Sequence, residues 1–145
     1  MNRSIVLTLI GLLTIAPVIT VATTIGVQAK TVDSRKVEAD RLLRQGLQQY
    51  ETRQFEAAIQ SWQQSLNLYR EIKNRPGEGA VLGILGFSHY LLGNYPKAIE
   101  LQEQSLAIAR ETKDRGGEAD ALNILGKAIN HSTIIQKRSN FRNNV

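Results

Sequence analysis

The sequence predicts an all-α chain of antiparallel helical hairpins stacked into a short array, and three observations carry that prediction. Residues 38–77 lie on residues 78–117 at an offset of 40 without a gap, with fourteen of forty positions identical. Within each copy apolar side chains recur at helical spacing, and no segment alternates with period two, which argues against strands. Gly, Asn and Pro fall together between the apolar stretches, where one helix must stop and the next must open. Self-similarity at this period marks a repeat architecture, in which no unit buries its apolar face alone.

The chain opens on a segment unlike the rest. Arg3 is the only charged side chain before Lys30, and residues 4–29 carry no charge. A short basic start, an apolar stretch from Ile5 to Val27 and the small-residue site Val27-Gln28-Ala29 read as a signal peptide over 1–29, cleaved after Ala29. The apolar stretch is 23 residues, long enough to span a bilayer, so retention as a signal anchor is the alternative. Pro17 and the threonines at 20, 23 and 24 make its second half a poorer helix, as suits a signal peptide's exit region. In either case the remainder is expected to be exported, periplasmic or secreted after cleavage and membrane-anchored without it. Residues 30–37 read as a linker.

Residues 38–130 carry the repeats, as 38–77, 78–117 and a partial third unit, 118–130. Identities between the first two units include Leu42/Leu82, Gly46/Gly86, Tyr50/Tyr90, Ala58/Ala98 and Arg70/Arg110. The third unit opens as EADALNILGKAIN, with Glu118, Leu122 and Gly126 in register. Leu82, Leu85, Gly86 and His89 have the i, i+3, i+4, i+7 spacing of one helix face, and Ala98, Ile99, Leu101, Leu106 and Ile108 repeat it. Between them, Gly93 supplies a stop, Asn94 an N-cap, and Pro96 falls in the first turn of the next helix. Asn74-Arg75-Pro76-Gly77 and Asp114-Arg115-Gly116-Gly117 are the turns between units. Gly46, Gly86 and Gly126, with Ala58 and Ala98, are expected to let paired helices approach closely. Leu42, Ile59, Trp62 and Leu66, then Leu82, Ile99 and Leu106, are expected to interdigitate around them. Gln45 and Gln49 make the first unit more polar, as suits an end of the stack.

Leu82-x-x-Leu85-Gly86, Tyr90, Gly93-x-Tyr95 and Ala98 resemble the tetratricopeptide repeat. The forty-residue period and Ala121–Gly126 look most like its longer variant, found in kinesin light chains and many cyanobacterial proteins. That resemblance implies a short right-handed solenoid whose function is to bind a protein or peptide partner. It also implies a concave groove lined by the first helices of successive units. The helix period then places Leu43, Leu47 and Tyr50, next Gly83, Phe87 and Tyr90, and last Asp120, Asn123 and Lys127 on that partner-binding stripe. In the family an Asn on this stripe clamps an extended peptide, and Asn123 matches that role, whereas Leu43 and Gly83 depart from it. Gly83 beside Phe87 and Tyr90 would suit an apolar anchor. The alternative for Tyr50 and Tyr90 is packing between adjacent helices.

Other chemistry is set aside on its own terms. With no Cys, disulfides, thiol nucleophiles and Cys-based metal sites are excluded. His89 and His131 have no companions at metal-ligand spacing, and His89 reads as a core histidine. Gly77-x-Gly79-x-x-x-Gly83 follows a helix end and turn, not a strand, so it is no phosphate loop. Nothing assembles a catalytic triad, and the expectation is no enzyme, no cofactor and no metal. The formal charge of +5 invites a nucleic-acid reading, but residues 30–130 hold 14 basic against 13 acidic side chains. No nucleic acid is therefore expected, and a membrane only through an uncleaved N-terminal segment.

After Asn130 the repeat pattern fails. Residues 131–145 lack the expected turn and second helix, and their asparagines and serines lower helix propensity, so they read as a polar basic tail. Two readings remain: a truncated or frame-shifted relative of a longer array, or a basic extension for an anionic surface. Uncapped repeats also raise a structural or assembly role by stacking or dimerisation, as a homo-oligomer.

Overall fold

The computed structural model describes the backbone of residues 16–143 and the side chains of residues 31–143. Five helices follow one another among the described residues: α1 (Ala16–Glu51), α2 (Phe55–Glu71), α3 (Arg75–Leu91), α4 (Tyr95–Thr112) and α5 (Arg115–Asn143). The chain divides into two compact units, residues 1–34 and 35–145. Of the expected signal segment, residues 1–15 and the side chains of 16–29 lie outside the described residues. Residues 30–37, expected as a linker, belong to α1. No helix among the described residues is long and apolar enough to cross a membrane.

The hairpins of the second unit have a half-period of twenty residues, set by their turns. Arg53, Lys73, Gly93 and Lys113 have φ of 62°, 55°, 75° and 59°, so each helix from α1 to α4 ends on one left-handed residue. Glycine alone takes that conformation without a Cβ penalty, which is why Gly93 is legible as a stop and its three partners are not. The next residue caps the following helix. Asn74 Oδ1 accepts from Gly77 N–H at 2.9 Å, Asn94 Oδ1 from Lys97 N–H at 3.3 Å, and Asp114 Oδ1 from Gly117 N–H at 3.0 Å. Gln54, at the same place before α2, makes no such bond.

One step further along, the twenty-residue series reaches Thr133 and Ile134. A β-branched residue resists the left-handed conformation, and Ile134 offers no acceptor for a cap. The chain therefore stays helical, with Thr133 Oγ1 bonded back to the Ile129 carbonyl at 2.9 Å. Residues 131–143, expected as a tail of low helix propensity, are the continuation of α5. Missing stop signals outweigh the modest propensity cost of Asn and Ser.

Each second helix lies closely on its first. Ala39, Ala58, Trp62, Leu66, Val81, Leu82, Leu85 and Ile108 form a continuous core with Tyr69 and Leu101. Leu101 and Ile108 are buried on α4, whereas Ile99 and Leu106 are only half-buried. Two hydrogen bonds fix the register within each hairpin, and they recur at an offset of 40. Trp62 Nε1 donates to the Leu43 carbonyl at 3.3 Å and Ser65 Oγ to that of Ala39 at 2.8 Å. In the second hairpin Gln102 Nε2 donates to the Gly83 carbonyl at 2.9 Å and Ser105 Oγ to that of Gly79 at 3.0 Å. Gln49 Oε1 accepts from Ser61 Oγ at 2.7 Å within the first hairpin.

Ion pairs recur with the same period, two between successive hairpins and two within single hairpins. Arg70 Nε meets Glu78 at 2.9 Å, and Arg110 Nε meets Glu118 at 2.8 Å. Arg35 meets Glu71 at 3.5 Å, and Arg75 meets Glu111 at 2.6 Å. Glu78 is 8% exposed and takes a second arginine, Arg75, so its charge is paired where burial would otherwise penalise it. Hydrogen bonding by Arg75 also holds the Glu111 carboxyl below the usual carboxylate range. At the start of the array Tyr69 OH donates to Asp40, which lowers the Asp40 pKa and, after burial, raises that of Tyr69. His89 is half-buried, and burial, with Lys97 nearby, lowers its pKa.

The three equivalent glycines do not share one environment. A Cβ on Gly46 would run into the indole of Trp62, and one on Gly86 would meet the Gln102 side chain at 2.9 Å. A Cβ on Gly126 would meet nothing within 4 Å, because no second helix of a third hairpin covers it. The expectation of close approach holds at the first two and fails at the third. Gly46→Ala is therefore expected to destabilise by about 1–3 kcal/mol through overpacking. Gly86→Ala should cost less, because Gln102 is the more flexible neighbour. Gly126→Ala should stabilise by about 1 kcal/mol, the helix-propensity difference alone. Urea denaturation of the three variants checks this, and a loss at Gly126 as large as that at Gly46 would contradict it.

Candidate functional site

A cavity of about 720 Å³ opens between α3, α4 and α5. Its origin lies in four substitutions between equivalent positions of the two hairpins. Ala39, Leu43, Trp62 and Tyr69 of the first become Gly79, Gly83, Gln102 and Ala109 of the second. All four smaller residues line the cavity. In the first hairpin the larger set is packed solid: Trp62 and Tyr69 are 2% and 3% exposed, and the Tyr69 ring lies against Gly77. In the second the same backbone leaves a hollow, because nothing with Tyr69's bulk stands against Gly117.

The cavity wall is mostly apolar. Ile84 and Phe87 come from α3, Ile108 from α4, and Ala121 and Ile124 from α5. Phe87 is 40% exposed, an apolar ring held at the mouth and free to be covered. Ser105 Oγ and one N–H of Gln102 Nε2 are committed to α3 carbonyls, which holds both side chains against that helix. Asp114, Asp120 and Asn123 supply the rim's polar groups.

The partner-binding residues expected from the sequence separate into two sets. Gly83, Phe87, Asp120 and Asn123 come together at the cavity. Leu43 is half-buried against the core, and its carbonyl holds Trp62. Leu47 and Lys127 are exposed and line neither cavity. Tyr50 packs on Phe55 and Trp62, with ring centroids at 5.4 and 6.0 Å, beside a smaller cavity of about 150 Å³. Tyr90 sits in a three-ring cluster with Tyr95 and His131, at 5.8 and 5.9 Å, where Tyr95 and His131 stack 5.2 Å apart. Both tyrosines thus make the inter-helix ring contacts that were the alternative to a binding role.

Asp114, Gln102 and Ala109 lie outside the stripe that the sequence predicts, because that stripe follows first helices only. The forty-residue alignment nevertheless holds the signal, in the loss of side-chain volume at the positions equivalent to 43, 62 and 69. Among the described residues no group of three or more His, Asp or Glu side chains could hold a metal ion. The tetratricopeptide repeat family model matches residues 38–111 and, overlapping, 78–131. No match is found among the curated proteins.

Proposed function

The chain belongs to the tetratricopeptide repeat family, and from that premise we propose that it binds a peptide segment of a protein partner in the groove between α3, α4 and α5. Repeats of this family mediate protein–protein interaction and are a non-catalytic fold. The observation that carries the reading is the hollow itself: a mostly apolar cavity with a half-open aromatic at its mouth and a few polar groups at its rim. The mechanism is presentation of a preformed surface. Its walls are helices locked by paired hydrogen bonds, so a bound segment meets a site already ordered.

We further propose that the chain is exported, on the strength of the charge-free segment over residues 4–29 and the small-residue site ending at Ala29. A second reading, self-association, is favoured by the uncovered face of α5. Leu122 and Ile129 are 47% and 50% exposed there, beside the open Gly126. A second copy packed on this face would cover both side chains.

Three outcomes are expected. Peptides selected from a displayed library against the full chain should lose binding in Ala109→Tyr, which restores the ring present at Tyr69. That variant should still fold, since Gly117 matches the Gly77 on which Tyr69 rests; undiminished binding by a folded Ala109→Tyr would sink the groove reading. N-terminal sequencing of the chain recovered from a bacterial periplasm should begin at Lys30, and an intact chain confined to the cytoplasm would refute export. Light scattering should show mass rising with concentration, and Leu122→Lys should abolish the rise; a strict monomer removes self-association.

A further inference from the structure

The groove proposed as the binding site carries a charge of its own, and the preference inferred from that charge rests on the groove reading. Two charged residues line it, Asp114 and Asp120, and both are acidic. Asp120 is exposed on α5 and makes no hydrogen bond or ion pair among the described residues. Asp114 spends Oδ1 on the Gly117 N–H and keeps Oδ2. The nearby arginines are already engaged, Arg75 by Glu78 and Glu111 and Arg110 by Glu118. Lys113 and Arg115 flank Asp114 in the turn, and Lys127 stands about two turns beyond Asp120 on α5, but none of the three lines the cavity.

From this geometry we infer that the groove selects an apolar side chain flanked by a cationic group. The ligand class is a peptide segment in which a residue the size of Leu or Phe stands next to Lys or Arg. Gly79, Gly83, Ile108, Ala109 and Ile124 receive the apolar side chain, and Asp120, helped by Asp114, faces the cation. Affinity comes from burying the apolar group, and discrimination comes from the carboxylates. A segment with Glu in place of Lys would bring like charges together at the rim, so rejection is built into the same two residues. The overall charge of +5 gives no hint of this preference.

Three labelled peptides test it, identical except that a central Leu is flanked by Lys, by Gln or by Glu. Fluorescence anisotropy with the full chain at low salt should rank them Lys, Gln, Glu. Adjacent members should differ by roughly two- to tenfold, as for one or two exposed ion pairs. Added salt should narrow the gaps. The double variant Asp114→Asn, Asp120→Asn should bring the Lys peptide to the affinity of the Gln peptide and erase the ranking by charge; Asn retains the cap before α5. A Glu peptide that binds as well as the Lys peptide overturns the inference, as does a Lys preference that survives in the double variant. If the Gln peptide binds and Ala109→Tyr does not weaken it, the groove reading itself fails and this inference falls with it.

Discussion

The closeness of each second helix to its first is the constraint on which the rest of the structure depends. Trp62 and Ser65 reach the carbonyls of Leu43 and Ala39, and Gln102 and Ser105 reach those of Gly83 and Gly79. These acceptors belong to helical carbonyls, so the donors must come within hydrogen-bond distance of the backbone itself. Gly46 and Gly86 make room for that approach. An indole and a carboxamide share little chemistry beyond an N–H at a comparable reach, and that N–H is what the two hairpins have in common. Register is therefore held constant while side-chain volume is free to change. The cavity is the consequence, since Gln102 keeps the bond that Trp62 makes and gives up the space that Trp62 fills.

Much of this is legible in the chain, and what is not has definite causes. The offset of 40, the hairpin turns and the caps at Asn74, Asn94 and Asp114 follow from residue types whose local chemistry is strong. Arg53, Lys73 and Lys113 also end helices in the left-handed conformation, but Arg and Lys have no preference for it, so their residue types do not announce the stop. Residues 131–143 mislead because Asn and Ser weigh as helix breakers. What ends a helix here is a left-handed residue, followed at three of the four turns by a capping side chain, and Thr133-Ile134 provides neither. At the site, the helix period places Phe87, Asp120 and Asn123 once the family resemblance supplies the face that lines the groove. Gln102 and Ala109 require a comparison of volumes between equivalent positions on the second helices, because a hollow is defined by what its lining lacks.

The ion pairs show how the array keeps its order. Arg70–Glu78 and Arg110–Glu118 link the end of one hairpin to the start of the next, and Arg35–Glu71 and Arg75–Glu111 bracket them. Most are exposed, and each such pair contributes about 0–1 kcal/mol, so they do not hold the fold up. Glu78 differs. At 8% exposure between two arginines it is a charge that the core tolerates only in that one arrangement. Loss of either arginine leaves it short of a partner, and shifting the hairpins by a turn would take Arg70 away and leave only Arg75, three residues before it on α3. Apolar burial stabilises the stack, and this buried carboxylate restricts the ways in which it can be stacked.

Charge acts at the groove in the opposite sense to the chain as a whole. Arg3 and the three basic residues beyond Asn130 account for most of the excess, and those three do not line the cavity. Within the repeats, the arginines near the groove are neutralised by the pairs that order the hairpins. The same contacts that fix the stacking thus remove positive charge from the groove's surroundings and leave Asp120 unopposed. Screening limits a charge's reach to about 8–10 Å of water, so a bound partner feels the residues that line the groove most. The sign of a binding surface in such an array is set by which charges line it after the hairpins are locked together, and here those are two aspartates.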